Sequence, residues 1–572
     1  MYTQDAGAPQ LPMEFLEDMT YYYNTTDDSR YIDINVIVYN NLESYDIYSI
    51  MKGLAGAYIN SYEKAESIPF NVCTFETMCN AELLIALIKS ETYTIQLQKL
   101  CSVLGYNYSE ANSAIKKYNE QFEVISDMIT EENNNIIMNM SSVASVFTGM
   151  WLCSKIKRKN PKIVITGIGN QINVPYVAGL ATKLDLIDIV EQPSFHYEKK
   201  ITRLELFKSL KLKEIIKQYP LYHGIRIIPY QISYGCSSKC NFCTERMLWD
   251  KTGELKDCLE IFDYNICKSE IEYLLDECNV DGLTFNDCTF DLRIPIFKLI
   301  SELIREKDLF FSASSRIDLI DDDYIKNLQE MNCTALLIGL ETLNRKSVQI
   351  FNKGDDLYGK TAVETVKKLY ENNIVAQINI VLFHPNESYE DVKKSIAKVH
   401  DFVKRVKKIG AIVPKLNVGE MVINYPSKNY MDAINNKDTI VEYHADDSLR
   451  EIPVRVRYPN KVGEQSKNSL ICSVLKDIEP VDSIALHIVA LLSGHWKLFY
   501  KKWSSNNIII CIKEKVEKET VLNALKKYIT DVSCEKILMI NKLTIDESEK
   551  KEFVTKVLLF NILDLIELRG HK

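Results

Sequence analysis

The stretch Tyr234-Gly-Cys236-Ser-Ser-Lys-Cys240-Asn-Phe242-Cys243 carries three thiols, separated by three and then two residues. It is a polar loop, expected directly after the apolar run Ile225-Arg-Ile-Ile-Pro-Tyr-Gln-Ile232. Thiolates are soft ligands that suit iron–sulfur clusters and zinc. A closed zinc site takes four ligands, and so does an electron-transfer cluster. The next cysteine, Cys258, lies fifteen residues further on. Three thiolates on a four-iron cluster leave one iron open to a substrate or cofactor. The spacing therefore points to chemistry rather than to a structural staple.

Beyond the loop, short apolar runs recur with helical stretches between them. Gly282–Phe285, Phe310–Ser314, Ala335–Gly339, Val375–Leu382 and Leu416–Glu420 read as strands. With the run before the cysteines they make six βα units over residues 225–430. Apolar strands alternating with helices imply a parallel sheet, and in such folds the chemistry lies at the C-terminal strand ends. The expected fold class is α/β, with a partial (β/α)6 barrel over this segment.

Towards the N-terminus, residues 1–32 are polar and tyrosine-rich and read as a loose arm. Residues 33–192 alternate again. Asp33–Tyr39, Phe70–Phe75, Asn135–Met140, Lys162–Thr166 and Leu186–Val190 are expected strands. Asp46–Tyr62 and Val146–Lys159 are expected helices, and residues 80–130 an inserted helical group. Pro161 stands just past a helix end, where proline is common. Residues 193–224 read as a helical linker, and 431–572 as a C-terminal region that is mostly helical, with a small strand at Asn507–Cys511.

Composition bounds the rest. The chain has 572 residues, 46% apolar and 26% charged, with a net charge of −9. That is an ordinary globular composition without a long basic tract, so nucleic acid is not an expected partner. No apolar stretch has the length of a membrane span, and Met1-Tyr-Thr-Gln-Asp-Ala lacks the pattern of a signal peptide. Fifteen scattered cysteines in a chain this long fit a reducing, cytoplasmic compartment better than a disulfide scaffold.

The cysteine loop resembles the CxxxCxxC signature of the radical SAM superfamily, with Phe242 as the aromatic before the third cysteine. The resemblance implies that Cys236, Cys240 and Cys243 hold a 4Fe–4S cluster. Its open iron would bind S-adenosylmethionine (SAM), whose reductive cleavage yields a 5′-deoxyadenosyl radical. It also implies an external one-electron reductant of flavodoxin or ferredoxin type. Ile338-Gly-Leu-Glu341-Thr resembles the family's Gly-Ile-Glu-Ser segment, which makes Glu341 a SAM contact. Asn286-Asp287 resembles the polar pair found where relatives bind the SAM amino group. Ser312, Ser314 and Arg316 follow the next strand, and a guanidinium there matches the SAM carboxylate. Phe383-His384-Pro385-Asn386-Glu387 sits where relatives carry Gly-x-Pro-Gly-Glu beside the adenine. Both glycines are lost, and the backbone at Asn379–Val381 is left as the adenine support. Cys288 and Cys333 flank strands and are candidate hydrogen-atom donors.

Residues 33–192 resemble the Rossmann-like cobalamin-binding domain of one radical SAM subclass, the class B methyltransferases. The match rests on Lys52-Gly-Leu-Ala-Gly-Ala-Tyr58, on Asn160–Gly169 and on Asp185–Val190. Small residues at strand ends let a corrin approach the backbone, so Ser141, Ser142 and Gly169 are the implied contacts. The motif that offers a histidine to cobalt is absent. The resemblance implies cobalamin-dependent C-methylation of a small-molecule or peptide substrate. Two alternatives are a cobalamin-independent rearrangement, epimerisation or cyclisation, and a non-catalytic iron–sulfur sensor.

Overall fold

The structure is a computed structural model. It describes residues 2–3, 31–32, 34–41, 45–55, 78–131, 135–140, 143–169, 172, 174–191, 203–209, 212–218, 227–248, 258–280, 282–307, 309–353, 361–372, 374–384, 387–408, 415–420, 423, 427–434, 440–443, 453–457, 470, 508–512 and 566–570. Within these residues the chain is α/β, with two larger parallel sheets.

The first sheet contains β1 (Tyr2–Thr3), β2 (Tyr31–Ile32), β3 (Asn135–Asn139), β4 (Val164–Ile168) and β5 (Ile189–Val190), in the order β2-β1-β3-β4-β5. All its pairings are parallel. Two expectations fail here. The N-terminal arm supplies two short strands, with β1 wedged between β2 and β3. Where a strand was expected over Asp33–Tyr39, Ile34–Asn41 form a helix. The run Ile34-Asn-Val-Ile-Val38 is β-branched enough to suggest a strand. It nevertheless places Ile34, Ile37 and Val38 on one helical stripe, and all three pack into the N-terminal core. Short apolar runs do not separate the two periods.

The expected helix after it spans Tyr45–Ala55. The helical insertion is three helices, Met78–Lys89, Thr94–Leu104 and Tyr108–Thr130. Asn107 caps the last of these by accepting from the Ser109 and Glu110 N–H groups. Phe122 meets Trp151 of the helix Val143–Lys159 edge-on, with ring centroids 5.1 Å apart. The expected strand at Lys162–Thr166 starts two residues later, at Val164, because Asn160–Ile163 turns off the preceding helix. The expected strand at Phe70–Phe75 lies outside the described residues.

The second sheet is built from β6 (Ile227–Tyr230), β9 (Gly282–Phe285), β10 (Phe310–Arg316), β11 (Cys333–Glu341), β12 (Val375–Leu382) and β13 (Lys415–Glu420). Its six strands are all parallel and lie side by side in chain order. Between β6 and β9, the strands β7 (Ser233–Gly235) and β8 (Leu259–Ile261) pair antiparallel and frame the cysteine loop. The intervening helices have legible starts. Asp263 caps Tyr264–Asp276 by accepting from Asn265 and Ile266, Pro295 opens Pro295–Glu306, and Asp321 caps Asp322–Glu330 by accepting from Tyr324. An N-cap of this kind contributes about 1 kcal/mol.

Under this sheet Phe285, Phe290 and Phe311 form one aromatic group, with centroids 5.0 to 5.4 Å apart. Such pairs add about 1 kcal/mol each beyond the area they bury. Beyond β13 the described residues form the helix Lys428–Ile434 and two antiparallel pairs, Ile440–Tyr443 with Pro453–Arg457 and Ile508–Ile512 with Ile566–Gly570. The helices expected elsewhere in 431–572 lie outside the described residues. No described helix is long and apolar enough to cross a membrane.

Candidate functional site

Parallel strands in chain order put all their C-terminal ends at one edge. The cysteine loop follows β6 and β7 there, and Asn286–Thr289 follow β9. Arg316 ends β10, Glu341 ends β11, and Phe383–His384 follow β12. Most residues singled out from Cys236 onward therefore sit at one rim.

Gly235 turns the chain into the loop with φ +77, a conformation that favours glycine. The Cys236 N–H donates to the Cys258 carbonyl at 2.8 Å, which closes the base of the loop. Tyr234 supports it, its ring meeting Phe262 edge-on at 4.8 Å. Farther along, the Asn241 N–H donates to the Phe351 carbonyl at 3.1 Å, and Asn352 Nδ2 donates to the Lys239 carbonyl at 2.8 Å. The Asn429 N–H donates to the Asn241 carbonyl at 3.0 Å. Elements after β11 and β13 thus hold a loop that begins after β7.

Cys236, Cys240 and Cys243 are partly exposed free thiols. Donors already face two of the sulfurs. The Ser238 N–H donates to Cys236 Sγ at 3.4 Å, with Thr289 Oγ1 3.5 Å from the same sulfur. Arg316 Nη1 donates to Cys240 Sγ at 3.3 Å. Burial raises the Cys240 thiol above its ordinary range, while Lys353 and then Arg316 work in the opposite direction. Burial, reinforced by Glu245, pushes Cys243 up to about 12. Among the described residues no three His, Cys, Asp or Glu side chains converge on a single-ion position. A four-iron cluster does not require that, since each thiolate takes its own iron. Soft sulfur donors with N–H groups aimed at them fit such a cluster.

Glu341 is a buried non-glycine residue with φ +56, at a register shift between β11 and β12. Lys353, also buried, donates from Nζ to Glu341 Oε1 at 2.5 Å. Gly339 makes room for this pair, because a Cβ there would stand 2.6 Å from Lys353 Nζ and 2.7 Å from Glu341 Oε1. Lys353 also lies 5.5 Å from the centroid of Phe242, whose ring packs on Phe351 at 4.9 Å. Sequence reading did not single out Lys353, Phe351 or Asn352. Lysine is read as exposed by default, and only Gly339 in the preceding strand hints at a close approach.

Asp287 is buried and accepts from Ser233 Oγ at 2.5 Å and from the Ile232 N–H at 3.2 Å. Burial pushes its carboxyl up to about 7, against the opposing effect of those donors. It anchors the chain entering the cysteine loop. The neighbouring Asn286 N–H donates to the Tyr230 carbonyl at 3.0 Å. Ser314 accepts at its carbonyl from the Phe290 N–H at 2.7 Å, and Ser312 Oγ donates to Thr284 Oγ1 at 3.3 Å. Asn379 stands on β12 in register with Gly339 and Asn417.

After β12, Phe383 has φ +60, so it keeps the left-handed backbone for which a glycine would have been the ordinary residue. His384 is wholly buried beside Ser347 and Glu387. Cys288 follows β9 at the rim, where burial, Glu245 and the Cys236 and Cys243 thiols raise its own thiol. Cys333 is at the opposite, N-terminal end of β11, buried, with Sγ turned to the Ala335 carbonyl. That position excludes it as a donor at the rim.

The N-terminal residues behave differently. Gly169 follows β4 with φ +104, and a Cβ there would stand 2.6 Å from Asn139 Oδ1 and 2.8 Å from the Met140 carbonyl carbon. Gly53 lies in the helix Tyr45–Ala55, directly under the Tyr106 hydroxyl. Ser141 and Ser142 lie outside the described residues.

Residues 230–413 match the sequence model of the radical SAM superfamily. A bacteriochlorophyllide d C-8(2)-methyltransferase of Chlorobaculum tepidum is 25% identical over 214 residues, 36% of this chain and 45% of that protein. An uncharacterized methyltransferase of Pyrococcus horikoshii is 23% identical over 166 residues, 29% of this chain and 34% of that protein. The chain thus spans less than half the length of these two curated relatives. Among solved structures, the radical S-adenosylmethionine methyltransferase TsrM of Kitasatospora setae, with cobalamin and a [4Fe-4S] cluster bound, aligns with a TM-score of 0.44. The identity is 11%, over 67% of this chain and 89% of TsrM. The chain carries a radical SAM domain, and its residues 230–413 belong to the radical SAM superfamily.

Proposed function

We propose that this chain is a radical SAM enzyme that cleaves S-adenosylmethionine reductively and methylates an unactivated carbon of a small molecule or peptide with the help of cobalamin. The observation that carries the radical part is the rim itself. Three thiols on the first strand-end loop share one edge with Arg316, which donates to Cys240 at 3.3 Å, and with Glu341, held by Lys353 at 2.5 Å. The methyl-transfer part draws on the methyltransferase names of the curated relatives. In this reading residues 225–430 are a partial (β/α)6 barrel and 33–192 a Rossmann-like cobalamin-binding-type domain. Residues 1–32 precede it, 193–224 link the two, and 431–572 form a separate C-terminal region.

Cys236, Cys240 and Cys243 would hold the cluster. When bound, cluster and SAM together supply hydrogen-abstracting chemistry, and cobalamin supplies a transferable methyl group. The chain's own groups bind and orient. Arg316, whose Nε and Nη2 are held by Asp318, brings its remaining N–H groups and its charge to Cys240 and to a carboxylate beside it. Glu341, fixed by Lys353, accepts from ribose hydroxyls or an ammonium. Asp287 braces the loop from below, next to Asn286, and Ser314 and the Asn379–Val381 backbone complete the rim. Phe242 and Phe351 pack on each other and steady the loop. An external reductant of flavodoxin or ferredoxin type supplies the electron, in a reducing cytoplasm.

The test is anaerobic reconstitution with iron and sulfide, then incubation with SAM and dithionite. 5′-Deoxyadenosine is the expected product, and its absence from a protein with full iron content would sink the radical reading.

A second reading keeps this chemistry without cobalamin. It draws on Gly53 and Gly169, whose open sides are filled by Tyr106, Asn139 and Met140 of the chain itself. Protein grown with ample cobalamin separates the two: corrin absorbance at stoichiometric levels supports the first reading, and its absence the second.

A further inference from the structure

His384 is tied to the cysteine loop through one short helix, Arg345–Phe351. The imidazole is wholly buried. Its Nε2 lies 2.9 Å from the Val381 carbonyl, which only accepts, so Nε2 carries the hydrogen. Nδ1 then faces Ser347 Oγ at 2.5 Å and Glu387 Oε1 at 3.2 Å. Glu387 in turn accepts from the His384 N–H at 2.9 Å and from Asn344 Nδ2 at 3.4 Å. These bonds fix the first turn of the helix Arg345–Phe351 against the end of β12.

The far end of the same helix holds the loop. Phe351 packs between His384, 4.6 Å away by centroids, and Phe242, 4.9 Å away. Its carbonyl accepts from Asn241, and Asn352 next to it bonds Lys239. A seven-residue helix is only about 10 Å long, so its two ends are close neighbours. Displacing its first turn therefore displaces the contacts to Lys239, Asn241 and Phe242, three of the five residues that separate the cysteines.

We propose that His384 is a positioning residue that couples the turn after β12 to the cysteine loop through the helix Arg345–Phe351. This rests on the radical SAM reading, in which that turn lies by the adenine and the loop holds the cluster. Each site is then sensitive to the other through a contiguous packed path with named members. A leucine would fill similar space but remove the imidazole's bonds to Ser347 and the Val381 carbonyl, while Glu387 would keep the residue-384 N–H and Asn344; the buried groups that lose their bond are penalised for the loss.

The test uses the full chain reconstituted anaerobically, as wild type, His384→Leu and Ser347→Ala. The serine change is the milder one and serves if the leucine variant does not fold. Leu104→Ala, in the N-terminal core, controls for general destabilisation. Two readouts are taken: the SAM concentration that half-converts the electron paramagnetic resonance spectrum of the reduced cluster, and the rate of iron release to a chelator. Both are expected to rise about ten-fold in the His384 or Ser347 variant and to stay unchanged in the Leu104 control. Variants that lose thermal stability but keep wild-type SAM dependence and iron release would overturn the coupling alone. A wild-type cluster whose spectrum ignores SAM would overturn the functional reading, and the coupling with it.

Discussion

Arg316 donates from Nη1 to the Sγ of Cys240 across 3.3 Å, while its Nε and Nη2 bind both carboxylate oxygens of Asp318 at 2.9 and 2.7 Å. Asp318 aims the guanidinium, and the guanidinium meets the sulfur. A cationic donor beside a thiolate ligand favours the reduced, more negative state of a cluster. Arg316→Met is therefore expected to retain iron but lower the midpoint potential of the bound cluster, with Arg316→Lys falling between. A redox titration followed by electron paramagnetic resonance measures this, and equal potentials in all three proteins would refute it.

Replacing any one of Cys236, Cys240 and Cys243 with alanine is expected to abolish most of the iron taken up on reconstitution. Cys101→Ala and Cys333→Ala should take up as much as wild type, since both thiols are buried away from the rim. Iron and sulfide assays on the five variants decide it. Retention by a triad variant would move the cluster elsewhere in the chain.

Asp287 gives a pH dependence whose sign follows from its burial. Its carboxyl is pushed up to about 7 in the folded chain, above the ordinary aspartate value of about 3.9 in the unfolded chain. The folded state then binds more protons between these two values, so stability is highest below the lower one and declines as pH rises through the upper one. The slope contributed by one such group is at most about 1.4 kcal/mol per pH unit. Asp287→Asn should flatten this part of the profile. Urea unfolding of both proteins from pH 5 to 8 tests it, and identical slopes would count against a protonated Asp287.

Gly339→Ala places a methyl group 2.6 Å from Lys353 Nζ and 2.7 Å from Glu341 Oε1. The buried ion pair must shift or break. Overpacking of this kind costs about 1–3 kcal/mol, and separating a buried pair adds to that. Denaturant unfolding should show the loss, and 5′-deoxyadenosine formation should fall more steeply than stability does. Wild-type behaviour in both would mean the pair moves aside freely.

The six strands of the second sheet were legible because each is a short apolar run bounded by polar or turn residues. Gly282–Phe285 and Val375–Leu382 have the bounds read from the sequence. The helices after Asp263, at Pro295 and after Asp321 start on local capping or proline signals. Ile34–Asn41 was not, since its β-branched run satisfies both periods and the helix is settled by packing against the N-terminal core. Tyr2–Thr3 was not either, because two residues carry no period at all and pair only where a sheet already exists.

The site divides along the same line. The identity and spacing of Cys236, Cys240 and Cys243 are local facts, and so is the chemistry of soft ligands that leave an iron open. Chain-ordered strands then follow from alternating βα units, and with them the common rim. What lies around the sulfurs is not local. Arg316 reaches Cys240 from 76 residues away, and Asn352 reaches Lys239 from 113. Lys353 is buried against Glu341 only because Gly339 leaves the space. His384 meets Ser347 across two elements that the sequence separates by a helix and a strand. Such contacts depend on register and burial between distant segments, and those quantities exist only once the chain has folded.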